Sequence, residues 1–268
     1  MAKEWYLMTR PLYNSGYEKD EFEAYAVDGF EEMLDSFLST EIDLYKTNDF
    51  SLSEKIKVVV DNVTSDSEYG TYMRQIISKM NTIKSGYYVG YNNNLWLIRD
   101  LVDNNKMYEK ALMFYCDYKI NFISSVTNEI VTYPVYMKNA TQYNSGEIAH
   151  EHETIGSSKY LVFVKCDEHT LPLNNGKRFL IDKNKEEPTA FELTQADTVS
   201  YNYNKTFGVI RWTIVESQYN ILTDNKELMI ADYYKTENNQ SSHNSSDNNP
   251  NPNYNSENDS ESTTGGWL

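Results

Sequence analysis

The segment His150-Glu151-His152 is the one place where two histidines stand close in sequence. On a strand, alternate positions share a face, so both imidazoles could turn toward one metal ion and supply half of a transition-metal site. A closed zinc site takes four protein ligands. Here only Glu151 and Glu153 stand nearby, with His169 and His243 far along the chain. Residues 137–158 around the pair are polar and punctuated by glycine, which reads as a long loop or hairpin tip, so no metal and no cofactor is expected. Cys116 and Cys166 each sit in an apolar, strand-like context, LMFYCDY and LVFVKCDEH, and read as two buried thiols with nothing local to activate them. The adjacent carboxylates Glu31-Glu32 and Glu186-Glu187 diverge on a helix or a strand alike and make no acid–base pair. The sequence shows no GxSxG elbow, phosphate-binding glycine loop, HExxH or CxxC. The expectation is a protein that is not an enzyme.

Charge and aromatics narrow the partners. The formal charge of −16 opposes nucleic-acid binding, which needs clustered Lys and Arg to displace counterions. With 14% aromatic residues, 23 of them Tyr, the chain has surface suited to sugars or to protein subunits, if those rings are not simply core. No basic, then apolar, leader and no apolar run of membrane-spanning length is present, so folding in a cytoplasm and no membrane partner are expected.

The elements that must position these residues are mainly strands. Residues 1–16 read as an aromatic, Pro-interrupted arm, whose Trp5 and Tyr6 need something to pack on. Phe22, Tyr25, Ala26, Phe30, Met33, Leu34 and Phe37 then recur every three or four residues, the stripe of a short amphipathic helix, with Gly29 a weak point. Strands are predicted at 55–61, 87–91, 95–98, 110–116, 119–123, 129–136, 159–166, 175–182, 189–194, 209–217 and 226–234, while 71–80 is ambiguous and 102–106 reads as a loop. Asn92-Asn93-Asn94 tolerates the left-handed conformations of a tight hairpin turn. Pro134 marks its strand as an edge or a bulge. The segment after Gly176 echoes the one after Gly86: glycine, strand, polar turn, returning strand.

The fold expected is a β-barrel or sandwich core with long hairpins, a short N-terminal helix and a polar tail. The divisions are 1–50, arm plus helix; 51–235, the core, with similar β modules at 51–135 and 159–235 joined by 137–158; and 236–268, an Asn/Ser/acidic tract too poor in apolar residues to fold alone. That tract ends in Gly-Gly-Trp267-Leu268, a candidate docking peptide on a tether.

The segments MAKEWYLMTRPLYNSGYEKDEFEAYAVDGFEEML, GYYVGYNNNLWLIRDLVDNNKMYEKALMFYCDYKINF and LPLNNGKRFLID resemble a group of head-closure or neck proteins from the head-tail connector of tailed phages that infect low-GC Gram-positive bacteria. The resemblance runs in order over about residues 1–235 and leaves out the tail. It implies a non-enzymatic virion protein with a β-barrel core, assembled in the host cytoplasm. Such a protein docks beneath the portal protein, contacts other neck and tail proteins, and forms a homo-oligomeric ring, commonly twelve-fold, through which double-stranded DNA passes without being read. The family carries no catalytic motif to place on this chain. The interface candidates, Trp5, Tyr6, Trp267 and Leu268, follow from the residues themselves. A tail-completion or tail-terminator protein is the neighbouring reading. A carbohydrate-binding β module, stacking sugars on Tyr87, Tyr91 and Trp96, is the reading from another class.

Overall fold

The computed structural model describes residues 18–63, 72–140, 158–182, 184, 186–201 and 207–234. A helix, α1 (Glu18–Leu34), precedes β1 (Thr40–Tyr45), β2 (Glu54–Asn62), β3 (Met73–Ser78), β4 (Tyr88–Tyr91), β5 (Asn94–Ile98), β6 (Asp103–Asn104) and β7 (Glu109–Tyr115). Then come β8 (Tyr118–Ile123), β9 (Ile130–Asn139), β10 (Lys159–Lys165), β11 (Arg178–Leu180), β12 (Ala190–Asp197) and β13 (Val209–Ser217).

The first sheet closes on itself. Its order is β3-β2-β1-β4-β5-β7, and a further β3–β7 ladder joins the ends into a six-stranded antiparallel barrel, with β6 paired to the first residues of β7. The period-two pattern decides what goes inside: Ile42 and Leu44, Val58, Ile76, Val89, Trp96 and Ile98, Ala111 and Met113 fill the barrel. Closure at the β1–β4 seam depends on Gly90, which lies opposite Asp43; a Cβ there would sit 3.3 Å from the Asp43 Cβ and from the Tyr45 ring.

The second sheet repeats this plan. Its order, β11-β12-β13-β10-β9-β8, sets β8-β9-β10 against β11-β12-β13 as the first sets β1-β2-β3 against β4-β5-β7. Ile120, Phe122, Tyr133, Val135, Val162, Phe179, Phe191, Trp212 and Ile214 form its interior. Here β11 lies against β8, but no ladder joins them among the described residues. Phe122 and Phe179 meet across that seam at 6.0 Å, bulk that the first barrel avoids with Leu44 and Val89. The echo after the two glycines is a structural one. Gly86 (φ 85°) and Gly176 (φ 90°) both enter corresponding hairpins, β4–β5 and β11–β12.

Several expectations change. The helix ends at Leu34, so Phe37 is 94% exposed and falls off the stripe; Tyr25 also faces solvent, and Phe30 and Leu34 are the buried members of the stripe among the described residues. Residues 40–45, placed in the arm-plus-helix segment, form the first barrel strand. The ambiguous 71–80 contains β3, and the supposed loop at 102–106 contains the short β6. Residues 137–139 continue β9 rather than opening a loop. The strand expected at 226–234 is instead a series of turns with one bridge, Asn225 to Ile230, because Met229 and Asp232 adopt φ of 54° and 55°, which no ladder accepts. β9 is interior to its sheet, yet Pro134 still obeys its rule: β10 pairs with β9 only at Tyr136–Asn139, so at Pro134 the missing N–H faces no neighbouring strand. The two sheets divide the chain at Cys116-Asp117, where the sequence reading divided it at 137–158.

The hairpin of the first barrel turns through Asn92 and Asn93, at φ 50° and 59°. Both central residues are left-handed, the type I′ geometry that matches strand twist. Replacing both by Ala is expected to cost about 2 kcal/mol, roughly 1 for each residue now forced against its Cβ, read as a lower denaturation midpoint. Asn93→Gly is expected to leave the midpoint unchanged or to raise it.

Candidate functional site

Trp5, Tyr6, His150, His152, Trp267 and Leu268 lie outside the described residues, as do the arm, most of the loop 137–158 and the tail. The described structure brings together a different set, at the junction of the two barrels. The outer faces of β3, β4, β5 and β7 meet β9, β10 and β13 through Met73, Tyr88, Leu97, Phe114, Tyr136, Phe163 and Val209. Phe114 stacks on Tyr136 at 4.4 Å, and the Arg99 guanidinium lies 4.6 Å from the Phe114 ring and 5.3 Å from Tyr201. Cation and rings desolvate together, which strengthens each contact. The backbones also touch: a Cβ at Gly86 would stand 2.4 Å from the Gly208 carbonyl oxygen.

Beside this contact a cleft of about 650 Å³ opens between the β1–β2 loop, with Lys46, Asn48 and Phe50, and the second barrel, with Tyr133, Lys165 and Asp167. Asp167 organises it. Its Oδ2 accepts from the Tyr133 hydroxyl at 2.6 Å and from Asn48 Nδ2 at 2.9 Å. Its Oδ1 accepts from the backbone N–H groups of His169 and Thr170, fixing the turn after β10. Lys165 Nζ donates to the Lys46 carbonyl at 2.7 Å, and the Tyr88 hydroxyl donates to the Pro134 carbonyl at 2.9 Å, so each barrel caps backbone of the other. Burial, then the bond to Asp167, raises the Tyr133 pKa, while burial lowers that of Lys165 against the pull of Asp167. A carboxylate engaged by four donors is a holder of structure rather than a base. Tyr133→Phe, which leaves Asp167 short of one donor, is expected to cost about 1.5 kcal/mol, measured by denaturant unfolding at neutral pH.

Ser124 and His169 were not anticipated as a pair, since 45 positions separate them; their Oγ and Nδ1 stand 2.8 Å apart. The His169 Nε2 lies 3.8 Å from Glu168. The order serine, histidine, carboxylate imitates a nucleophilic triad, but Ser124 is fully buried and its Oγ accepts the Val126 N–H at 3.1 Å. No substrate carbonyl reaches an oxygen so enclosed. Burial raises the pKa of both cysteines, Cys166 to about 11, which leaves them as unreactive thiols. Among the described residues no group of three or more His, Cys, Asp or Glu is placed to hold a metal ion, and no helix is long and apolar enough to cross a membrane.

The sugar-stacking surface fails on geometry. Trp96 is 6% exposed, and Tyr87 and Tyr91 are half-buried against the first barrel's interior beside it, so the three rings present no open stacking platform. The opposite face, Tyr88 and Leu97, is buried by the second barrel.

No curated protein and no solved structure matches the chain. Residues 12–115 match the model of a phage-associated family described as the YomX N-terminal domain, a span that takes in α1 and stops at the last residue of β7, so the chain is similar to that family through the whole of its first barrel.

Proposed function

We propose that this protein is a non-enzymatic structural component of a phage particle, a head-closure protein of the neck that docks beneath the portal and presents a surface to the tail. The observation that carries this reading is the match of residues 12–115 to a phage-associated family, a span that ends where the first barrel ends, at Tyr115. Two further features support it. The barrels are joined by aromatic packing and reciprocal backbone capping, a hydrophobic junction of the kind that opposes relative motion of two units. The charge of −16 lets packaged DNA pass an acidic wall without adhering.

The test is mass spectrometry of density-banded virions and of tailless, DNA-filled heads from the phage that encodes the chain. The reading expects several copies per particle in both fractions. Absence from both overturns it, and presence only on complete particles assigns the protein to the tail instead.

A further inference from the structure

The repeat of one barrel plan within the chain allows the two barrels to be compared position by position. In the first, Arg74 stands opposite Asn62 and Met113, and its guanidinium lies 6.0 Å from the Trp96 ring. Tyr91 and Tyr115 flank that ring at 6.5 and 5.5 Å. An arginine on an aromatic floor thus fills this end of the first barrel.

In the second barrel Tyr160 occupies the place of Arg74, opposite Asn139 and Ile214, and Phe191 the place of Trp96. Glu216, opposite Phe191, replaces Tyr115. The internal cation is gone and a carboxylate has arrived. What remains is a cavity of about 290 Å³ lined by Tyr118, Tyr160, Ile181 and Phe191, with Asp182 and Glu216 also in its wall. Tyr160 and Phe191 meet edge to face at 5.4 Å, a preformed aromatic corner. Ser158 also lines the cavity.

From this substitution of parts the geometry points to a binding site in the mouth of the second barrel for an arginine side chain of a partner protein. Aromatic walls attract a guanidinium through their negative faces, and carboxylates in the wall complement its charge. Barrel mouths are common ligand sites, and the first barrel displays the bound arrangement with its own residue. The partner is therefore a protein that presents an exposed arginine to an acidic surface.

The probe is N-acetyl-L-arginine amide, titrated into the full chain and followed by amide chemical shifts, with N-acetyl-L-norleucine amide as the neutral comparator. The expected result is saturable, millimolar binding that shifts Tyr160, Ile181 and Phe191 but not Trp96 or Tyr115, with no response to norleucine. Tyr160→Arg rebuilds the first barrel's arrangement and is expected to abolish binding. Glu216→Gln, at an exposed position, is expected to weaken it several-fold and serves if the arginine variant does not fold. Unsaturable shifts spread over the acidic surface, an equal response to norleucine, or affinity unchanged in these variants would overturn the assignment.

Discussion

Gly86→Ala is expected to lower the stability of the protein by about 3 kcal/mol or more, from backbone strain and the forced separation of two packed surfaces. Two costs add at this position. The backbone φ of 85° lies in the left-handed region, where a Cβ meets its own chain. That Cβ would also stand 2.4 Å from the Gly208 carbonyl oxygen, and backbone cannot rotate away as a side chain can. The second barrel contains the control. Gly176 has φ of 90°, and its N–H donates to Leu193 at 2.8 Å as that of Gly86 donates to Ile98 at 2.8 Å, yet a Cβ at Gly176 has nothing within 4 Å. Gly176→Ala should therefore show the conformational cost alone, about 1 kcal/mol. Chemical denaturation of both variants separates the costs. Equal losses would mean that the barrels yield at Gly208 and that the junction is softer than its packing implies.

Local rules made the hairpins legible in the sequence. Asn92-Asn93 supplied left-handed residues, and alternating apolar positions in 55–61, 110–116 and 209–217 supplied strands with a defined inner face. Residues 226–234 misled because Leu228, Met229 and Ile230 look like a strand, while what fixes them is remote: the Leu228 carbonyl accepts from Asn121, and Ala231, with Met229, packs in a cluster with Leu180 and Ala190. The helix boundary was missed for a similar reason. Phe37 continues the periodicity, but Ser36 turns the chain by bonding back to the Met33 carbonyl at 2.6 Å.

The site was the least legible part. Asn48 and Asp167 lie 119 positions apart and meet only because one barrel sits on the other, and neither carries a motif. Tyr87 to Tyr91 announced an aromatic strand, but not that its two faces serve different purposes, the odd residues lining a barrel and Tyr88 gripping its neighbour. The repeat was visible only as two glycines before two strands. Outside the inward positions the barrels have diverged: Tyr88 and Leu97 of the first correspond to Arg178 and Glu192 of the second. Those replacements follow from burial. The first pair is covered by a barrel, whereas Arg178 is covered by a charged segment that needs a cation beneath it.

That segment carries the last expectation. Asp224→Ala should cost about 3–5 kcal/mol, the range for removing one partner of a buried ion pair, with the lower end favoured because Asp232 still reaches Arg178 at 3.0 Å. Asp224 is 3% exposed and ties residues 218–234 to β11. Its oxygens accept from Arg178 at 3.0 and 2.8 Å, from the Asp232 N–H at 2.9 Å and from the Asn220 N–H at 2.9 Å. Alanine leaves both N–H groups and one face of the guanidinium without an acceptor, so the segment should detach first. Amide exchange at 220–232 is then expected to accelerate more than exchange in β13. Burial pushes this carboxyl up, but the Asp232 and Asn220 N–H groups and the Arg178 guanidinium outweigh it and hold the pKa below the ordinary 3.8. A depressed carboxyl stabilises the fold fully above its unfolded value and loses that contribution as the pH falls through the folded one. The gap in stability between wild type and Asp224→Asn should therefore be constant near neutrality and narrow only below pH 3.8. A gap that stays constant into strong acid would show that the carboxylate's charge contributes nothing and that shape alone holds the segment over the open seam of the second barrel.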